Sequence, residues 1–382
     1  MALRYGADSI YLAGREFGMR AAAGNFDDDT LKTAVKLAHE QGVRVYVTCN
    51  TLPREEELAR LPEYLEFLQD IDTDALIIAD LGVMELAKRY APKVKRHVST
   101  QLGVINSATA NALYELGADT VVLARETPLK DIAQIRKNTP PELRLEAFVH
   151  GAMCVSFSGR CLLSNYLTDR DANRGQCAQP CRWKYHLVEE SRPGEYFEIS
   201  EDGGTHILNS KDMCMIEHIP QLIDAGICSF KIEGRMKSAY YAAVITNAYR
   251  HALDAALSGK PLDRVWINET GMVSHRPYCT GFYFGAPSQH YADASYYTQA
   301  DVAAVVEQCD KDGNATLTQR NKFLKGDRLE LLLPDEKPIG FTAEHIYNAE
   351  DEEIEDTRHA MMELRMRLPA AAPIYSVVRK CR

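Results

Sequence analysis

Long apolar runs are missing from this sequence of 382 residues. The longest runs, such as residues 75–79 (Ala-Leu-Ile-Ile-Ala), fall far short of the roughly 20 residues that a membrane-spanning helix needs. A secretion signal is also missing, because the first residues contain no apolar stretch and no cleavage-type ending. We therefore expect a cytoplasmic protein that does not enter a membrane.

Positive charge is scarce as well. The chain has 44 Lys and Arg residues against 54 Asp and Glu residues, which gives a net charge of −10. An acidic chain has no overall positive field for non-specific binding of nucleic acid, although a local basic cleft would still suffice. The hydrophobic content of 46% is ordinary, so a folded core is expected.

Three common motifs are absent. No Gly-x-Gly-x-x-Gly turn follows the first predicted strand, so a dinucleotide-binding fold gains no support. There is no Gly-x-Ser-x-Gly elbow and no His-Glu-x-x-His helix, so a hydrolase would lack a recognisable nucleophile or zinc site.

What the sequence does contain is a βα rhythm. Short β-branched or apolar runs alternate with amphipathic stretches, and Gly-Ala-Asp-like turns precede most of the runs. The predicted strands are 9–12, 43–48, 75–79, 97–100, 120–124, 143–149 and 229–232. Seven strands predict an α/β fold, a (β/α)8 TIM-like barrel that lacks its first βα unit in this chain. An open doubly wound sheet is the competing prediction.

The rhythm also predicts the domain organisation. Residues 1–265 form the barrel domain, and an insertion at about 151–228 is far longer than a plain βα connection needs. Residues 266–300 are a connector. Residues 301–382 alternate short strands with turns, which predicts a small all-β, barrel-like domain.

The insertion carries the densest cysteine group of the chain. Cys154, Cys161, Cys177 and Cys181 are spaced C-x6-C-x15-C-x3-C. Thiolates are soft ligands that suit zinc or iron–sulfur clusters, and the spacing is not the pair of C-x2-C motifs of a zinc ribbon. We expect a bound cluster or metal, with iron–sulfur favoured over zinc. Four independent buried thiols, or a thiol nucleophile paired with His150, are the alternatives.

Residues 146–164 (Glu-Ala-Phe-Val-His-Gly-Ala-Met-Cys-Val-Ser-Phe-Ser-Gly-Arg-Cys-Leu-Leu-Ser) resemble the signature of the U32 peptidase family, the collagenase-like proteases. Further similar blocks lie at 5–14, 173–175, 181–183, 209–212, 231–235 and 275–276. The sequence is most similar to the branch that depends on prephenate to make 5-hydroxyuridine at the wobble position of tRNA.

The resemblance implies a barrel with a small C-terminal β-domain, and a [4Fe–4S] cluster on the same four cysteines. It also implies prephenate, a small dicarboxylate, as co-substrate and the tRNA anticodon region as partner. A paralogous U32 protein is a further candidate partner. A collagenase-like peptidase and a non-catalytic subunit that carries a cluster or docks RNA remain as alternatives.

Nearly every predicted strand ends in a polar residue, and the chemistry of a (β/α)8 barrel lies at these strand ends. The candidate catalytic residues are His150, Glu233, Asp80 and Asn50. The candidate co-substrate ligands are Arg125, Glu126, Gln101, Lys231, Arg235, Arg160 and Lys211, since Arg binds carboxylates in a bidentate manner. Some of these residues also have a possible structural role in place of a functional one. Asp80 could cap the following helix, Glu126 could pair with Arg125, and Lys231 could pair with Glu233.

For RNA we expect basic and aromatic side chains that contact phosphates and stack on a flipped base. The candidates are Arg170, Arg174, Arg182, Trp183, Lys184 and Lys322.

Overall fold

The computed structural model describes residues 1–19, 24–154, 156–183, 187–188, 194, 196–197, 210–287 and 296–382. The first strands and helices are β1 (Ser9–Leu12), α1 (Asp28–His39), β2 (Arg44–Cys49), α2 (Glu55–Leu58), α3 (Leu61–Asp70), β3 (Ala75–Ile78), α4 (Leu81–Tyr90), β4 (Lys95–Val98), α5 (Ser107–Glu115), β5 (Thr120–Val122), α6 (Leu129–Lys137), β6 (Arg144–Ala152) and α7 (Leu163–Thr168).

The later elements are β7 (Leu187–Val188), β8 (Tyr196–Phe197), β9 (Asp212–Cys214), α8 (Ile219–Asp224), β10 (Ser229–Ile232), α9 (Ala239–Leu257), α10 (Arg264–Glu269), β11 (Tyr278–Cys279), β12 (Ala300–Cys309), β13 (Asn314–Gln319), β14 (Arg328–Leu332), β15 (Ile339–Thr342), β16 (Glu363–Arg367) and β17 (Val377–Cys381). Short 3-10 turns lie at Thr100–Leu102, Ala172–Arg174, Pro180–Arg182, Ile216–His218 and Thr270–Met272.

Seven parallel strands make the sheet that the sequence predicts. Strands β1 to β6 pair in chain order, and β10 pairs in parallel with β6. Helices alternate with these strands, as in a TIM-like barrel, so the predicted α/β class is confirmed. Strands β3 and β5 are fully buried, and β2 and β6 are buried except at their ends, which is typical of strands in a parallel sheet covered by helices, whereas β1 and β10 are only partly buried.

The helices begin where local sequence provides caps. Asp27 accepts a hydrogen bond from the Thr30 amide at the start of α1, and Asp80 accepts one from the Val83 amide at the start of α4. Asp80 therefore has the structural role that competed with its predicted catalytic one.

Side chains connect the two ends of the parallel series. In the described strands β1 and β10 share no backbone ladder. However, the Tyr11 hydroxyl donates to the Glu233 carboxylate at 3.0 Å, and the Lys231 Nζ lies 4.8 Å from the centroid of the Tyr11 ring. The first and last strands of the series are thus joined by these residues.

The insertion returns across the carboxyl end of β6. Strand β9 runs antiparallel to the last residues of β6, and β11 pairs in parallel with β9. Asp212 and Arg276 form an ion pair at 2.6 Å in which both side chains are almost fully buried, and Arg276 Nη1 lies 3.5 Å from Ser210 Oγ. The Ser210 hydroxyl donates to the Met153 carbonyl at 2.7 Å, directly before Cys154.

The C-terminal strands form a separate six-stranded antiparallel sheet with the order β15-β14-β17-β12-β13-β16. Its core includes Leu317, Phe323, Leu329 and Val378. Arg379 is buried and binds the carboxylates of Glu269 and Glu330, which satisfies its charge inside the protein. This is the small all-β domain that the alternating turns predict.

The contacts group the chain differently from the predicted division at 265 and 300. One unit comprises residues 1–7, 237–275 and 296–382, and the other comprises 8–236 and 276–295. Helix α9 belongs to the first unit because Asn247 bonds the Leu333 carbonyl and the Asp335 amide there. Among the described helices, none is long and apolar enough to cross a membrane.

Candidate functional site

A buried ion pair lies in the interior of the parallel sheet. Lys231 Nζ on β10 lies 2.8 Å from Glu146 Oε1 on β6, with the side chains only 10% and 5% exposed. The Ser229 hydroxyl donates to the same carboxylate at 2.7 Å. Burial is the largest effect and raises the pKa of Glu146, but the charges of Lys231 and His97 and the hydrogen bonds from Lys231 and Ser229 together outweigh it, so the pKa is lowered overall. Lys231 thus pairs with Glu146 and not with Glu233, which corrects the sequence-based pairing.

His97 on β4 also faces this interior. It is buried, and its ring meets the Tyr46 ring edge-on at 4.5 Å between centroids. Its Nδ1 atom has no hydrogen-bond partner among the described residues. Burial lowers the pKa of His97 to about 4, against the opposing effect of Glu146, so the folded protein holds the ring neutral at pH 7.

The His97 ring predicts a pH dependence of stability. As the pH falls, the unfolded chain takes up a proton near pH 6.5, whereas the folded protein does so only near its lowered pKa of about 4. The stabilisation is therefore complete above pH 6.5 and is lost between about 6.5 and 4, on the order of 3 kcal/mol. We expect His97→Phe to flatten the dependence in chemical unfolding measured across this range. Equal slopes in both proteins would contradict the expectation.

Glu233 lies just beyond β10, at the carboxyl end of the parallel strands. We call this end of the sheet the mouth. Besides the Tyr11 hydroxyl, its carboxylate accepts the Arg235 backbone N–H at 3.3 Å. The Arg235 guanidinium donates to Asn25 Oδ1 at 3.0 Å. The structure thus brings together two predicted residues, Glu233 and Arg235, and adds Tyr11 and Asn25, which the sequence did not single out.

Two other predicted residues meet directly. The Asn50 amide donates to Gln101 Oε1 at 3.0 Å, and Asn50 Oδ1 accepts the Met19 amide at 3.0 Å. These residues follow β2 and β4, so the bond crosses the carboxyl end of β3, which lies between them. The pair places two amide groups at the mouth, where they can orient a polar ligand.

Arg125 and Glu126 hold the segment that carries the cysteines. Arg125 Nη1 donates to the Ala152 carbonyl at 3.1 Å, and its guanidinium carbon lies 4.0 Å from the centroid of the Phe148 ring. Glu126 accepts the Ser158 amide at 2.9 Å and the Ser158 hydroxyl at 3.0 Å. Glu126 thus binds Ser158, whereas Arg125 binds the Ala152 carbonyl and the Phe148 ring. We call residues 154–183 the cysteine loop.

A substitution at Glu126 tests this anchor. We expect Glu126→Ala to release the Ser158 amide and hydroxyl, since hydrogen bonds to a charged group contribute about 1.5–3 kcal/mol. Limited trypsin digestion followed by mass spectrometry should then show faster cleavage after Arg160, which is exposed between the first two cysteines. Glu126→Gln retains one acceptor and serves as the intermediate case. An unchanged rate at Arg160 in Glu126→Ala would show that Glu126 does not anchor the loop.

The four cysteines of the loop are electrostatic neighbours. Cys154 and Cys177 are exposed, and Cys161 and Cys181 are partly buried. Partial desolvation of the sulfur raises the pKa of Cys181, and the thiols of Cys154, Cys177 and Cys161 raise it further. Desolvation likewise raises the pKa of Cys154, with added contributions from Cys161 and Cys177. Ionisation of Cys154 and of Cys181 is therefore disfavoured by the neighbouring thiols, an effect that a bound cation would offset.

The donor chemistry of this group fits a thiolate-bound metal or cluster. The four sulfurs are soft ligands within mutual electrostatic range, and the Gln179 amide donates to Cys177 Sγ at 3.4 Å. In the described ranges, no set of three or more His, Cys, Asp and Glu side chains stands in the arrangement of a formed metal site. The four thiols thus lie on one loop without the arrangement of a formed metal site among the described residues.

His150 is the last inward-facing residue of β6 before the cysteine loop. It is almost fully buried, and its Nε2 lies 3.4 Å from the Tyr278 hydroxyl on β11. Tyr278 was not singled out from the sequence, because it lies 128 residues away and reaches His150 only through the β6–β9–β11 arrangement. The His150 ring nitrogen therefore has the Tyr278 phenol hydroxyl as a neighbour.

The predicted RNA-binding residues that the structure describes differ in what they contact. Arg174 is engaged by Glu57 Oε2 at 3.0 Å and by the Leu52 carbonyl, so it braces the cysteine loop against the segment after β2. Lys322 pairs with Asp356 in the other unit. Arg182 donates to Gln179 Oε1 at 2.7 Å, while Arg170 and Trp183 are exposed. Lys184 lies outside the described residues.

Two of the candidate co-substrate ligands remain to be placed, Arg160 and Lys211. Arg160 is exposed in the cysteine loop, and Lys211 is half-buried beside β9. Desolvation raises the pKa of the Cys279 thiol, and this effect is larger than the lowering by the positive charge of Lys211. Arg160 is thus accessible to a ligand at the cysteine loop.

A βα sheet with polar side chains at its strand ends and a loop of four cysteines after β6 defines a barrel-type protein with a cysteine-rich loop. The chain belongs to peptidase family U32, whose model matches residues 1–293, and the model of the family's C-terminal domain matches residues 298–379.

Three relatives illustrate the similarity. The chain is 35% identical to tRNA hydroxylation protein P1 of Bacillus subtilis, over 96% of this chain and 88% of that protein. It is 40% identical to an uncharacterized protease of Methanocaldococcus jannaschii, over 87% and 83%. It is 38% identical to the 23S rRNA 5-hydroxycytidine C2501 synthase of Escherichia coli, over 67% of this chain and 37% of that protein.

Proposed function

We propose that this chain is an RNA-modifying enzyme that forms 5-hydroxyuridine at the wobble position of tRNA. The observation that carries the proposal is the group of four thiols fixed next to the polar mouth by Arg125, Glu126 and Ser210. The names of two relatives, a tRNA hydroxylation protein and an rRNA 5-hydroxycytidine synthase, support hydroxylation of a pyrimidine. A hydrolase gains no comparable support from the polar groups at the mouth.

Cys154, Cys161, Cys177 and Cys181 would hold an iron–sulfur cluster of the [4Fe–4S] type. Such a group, when bound, would supply a redox-active centre for transfer of oxygen from the donor. The protein's own part is to fix the loop, and Glu126 and the Ser210–Met153 hydrogen bond do this on its two sides.

We assign co-substrate binding to the cationic side chains of the mouth. A prephenate-type dicarboxylate needs two positive partners, and Arg125 and Arg235 stand after β5 and β10, on opposite sides of β6 in the sheet. A guanidinium carries five N–H donors in a planar fork that matches a carboxylate, and Arg125 and Arg235 also contact the Ala152 carbonyl and Asn25. Gln101, orientated by Asn50, would contribute an amide contact.

Hydroxylation at C5 forms a C–O bond and breaks the C–H bond, so the pyrimidine loses a proton and the oxygen donor is reduced by two electrons. We assign its removal to Glu233, whose carboxylate is orientated by the Tyr11 hydroxyl and the Arg235 amide. His150 and Tyr278 form a second proton-bearing pair beside the cysteine loop, and we assign them to proton exchange with the donor.

The test is nucleoside analysis of tRNA by mass spectrometry in cells that lack the gene. We expect 5-hydroxyuridine to be absent in the deletion strain and to return with the wild-type gene. A gene that encodes Glu233→Gln should restore little or none. Arg264→Gln, an exposed change in the other unit, should restore the wild-type level.

The same strains discriminate the alternatives. An unchanged 5-hydroxyuridine level in the deletion strain, together with cleavage of gelatin by the purified protein, would overturn the proposal in favour of a peptidase. Modification that needs this gene and that survives Glu233→Gln, but also requires a second U32 gene, would favour a non-catalytic subunit of a pair.

A further inference from the structure

The cysteine loop presents an exposed aromatic ring that the sequence reasoning did not single out. Tyr166 lies on α7, between the second and third cysteines, and is 86% exposed. On the opposite side of the same helix, Ser164 is fully buried and its hydroxyl accepts the Ala178 amide at 2.9 Å. Helix α7 is thus fixed by one face, and its other face holds Tyr166 in solvent.

A second aromatic side chain is held in the same part of the loop. Helix α7 packs against the turn Pro180–Arg182, and Trp183 directly follows that turn and is 43% exposed. The Trp183 amide donates to the Pro180 carbonyl at 3.0 Å, and Pro180 is buried, so the base of the Trp183 side chain is fixed. Two accessible rings thus come from segments that are packed together.

The charge of the loop has the opposite sign to that of the chain. Residues 154–183 contain four arginines and two aspartates, with no lysine or glutamate, whereas the whole chain carries −10. Arg160 and Arg170, on either side of α7, are exposed. A local positive region with accessible rings is complementary to an anionic ligand that has flat, apolar faces.

We propose that Tyr166 and Trp183 are base-stacking residues for unpaired nucleotides of an RNA, and that Arg160 and Arg170 contact its phosphates. The inference rests on the proposed function and adds the surface by which the single-stranded substrate is held beside the cysteines. Stacking on aromatic rings is tolerant of sequence, and arginine adds the salt-dependent part of the affinity. Arg174, which is engaged by Glu57, braces the loop and does not belong to this surface.

The test uses the purified full chain and a fluorescein-labelled oligouridine of about 12 nucleotides, with binding followed by anisotropy. We expect Tyr166→Leu to weaken binding about tenfold and Tyr166→Phe to bind within about twofold of the wild type, because stacking needs only the ring. Tyr296→Leu, which removes a half-exposed tyrosine ring in the other unit, should not change the affinity.

Salt dependence separates the two kinds of contact. Arg160→Gln and Arg170→Gln should each reduce the slope of log K against log salt by about 0.7, whereas Tyr166→Leu should leave the slope unchanged. The chain has two tryptophans, and Trp266 is buried, so quenching of tryptophan fluorescence by the RNA would report on Trp183. Trp183→Phe should abolish that quenching.

Three results would overturn the inference in different ways. If the wild type binds RNA and forms 5-hydroxyuridine while Tyr166→Leu binds equally well, the surface is wrong and the proposed function stands. If the wild type binds no RNA and makes no 5-hydroxyuridine, both fail. Capture of a protein instead of RNA through Tyr166 would also overturn the assignment.

Discussion

Lys231→Met is expected to destabilise the protein by about 3–5 kcal/mol. The substitution removes the cation and leaves the Glu146 carboxylate in the interior of the sheet, where its side chain is 5% exposed. The remaining hydrogen bond from Ser229 does not replace a full positive charge. Urea unfolding followed by circular dichroism measures the change in the free energy of unfolding.

The double variant Glu146→Gln with Lys231→Met is the control for this prediction. It removes both charges, so we expect it to recover most of the loss, because a buried ion pair contributes little net stability against neutral groups. Arg382→Met, which breaks an exposed pair with Asp301, should unfold like the wild type. If the single and double Lys231 variants were equally unstable, the loss would come from packing and not from an unpaired charge.

The second large effect concerns metal content. Cys177→Ser is expected to reduce iron and acid-labile sulfide in anaerobically purified protein from about four per chain to background levels. A serine oxygen is a harder and much weaker ligand than a thiolate for such a group. The measurement is iron and sulfide analysis together with the visible absorption spectrum.

Cys309→Ser is the control, because Cys309 is a thiol on β12 in the other unit and lies outside the cysteine loop. Its metal content should equal that of the wild type. Stoichiometric zinc in place of iron would contradict the assignment of an iron–sulfur cluster, and full iron occupancy in Cys177→Ser would remove Cys177 from the ligand set.

The sequence predicts the parallel strands well because each carries its own local signals. Strands β1 and β10 have the predicted bounds, since a glycine turn precedes each of them and a polar residue or turn follows. The ends of the other strands differ by one to three residues, because hydrogen bonds with the neighbouring strand decide where pairing stops. The small β-domain is predicted by its turns in the same way.

The partners of the site residues are less predictable. Glu146 and Lys231 are 85 residues apart and meet only because Lys231 lies opposite Phe148 in the register of β6 and β10. The period of two along β6 indicates that Glu146, Phe148 and His150 share a face, but it does not show which strand lies next to it. The Tyr278 contact of His150 depends on β11 in the same way.

The positions of the arginines also depend on the tertiary structure. Arg174 and Arg170 have the same residue type and lie four residues apart, yet Arg174 is engaged by Glu57 and Arg170 is exposed. The charge pattern of the loop cannot separate them, because Glu57 comes from a helix more than a hundred residues earlier. The exposure of Tyr166 likewise follows from which face of α7 packs against Pro180–Arg182.

The most direct test of RNA hydroxylation is a reaction with purified components. Anaerobically purified protein would be incubated with prephenate and with tRNA from cells that lack the gene, and the wobble nucleoside would be identified by mass spectrometry. The account predicts 5-hydroxyuridine with the wild type and none with Cys177→Ser or Glu233→Gln. Unmodified uridine with a wild-type protein that carries its full iron and binds the tRNA would contradict it.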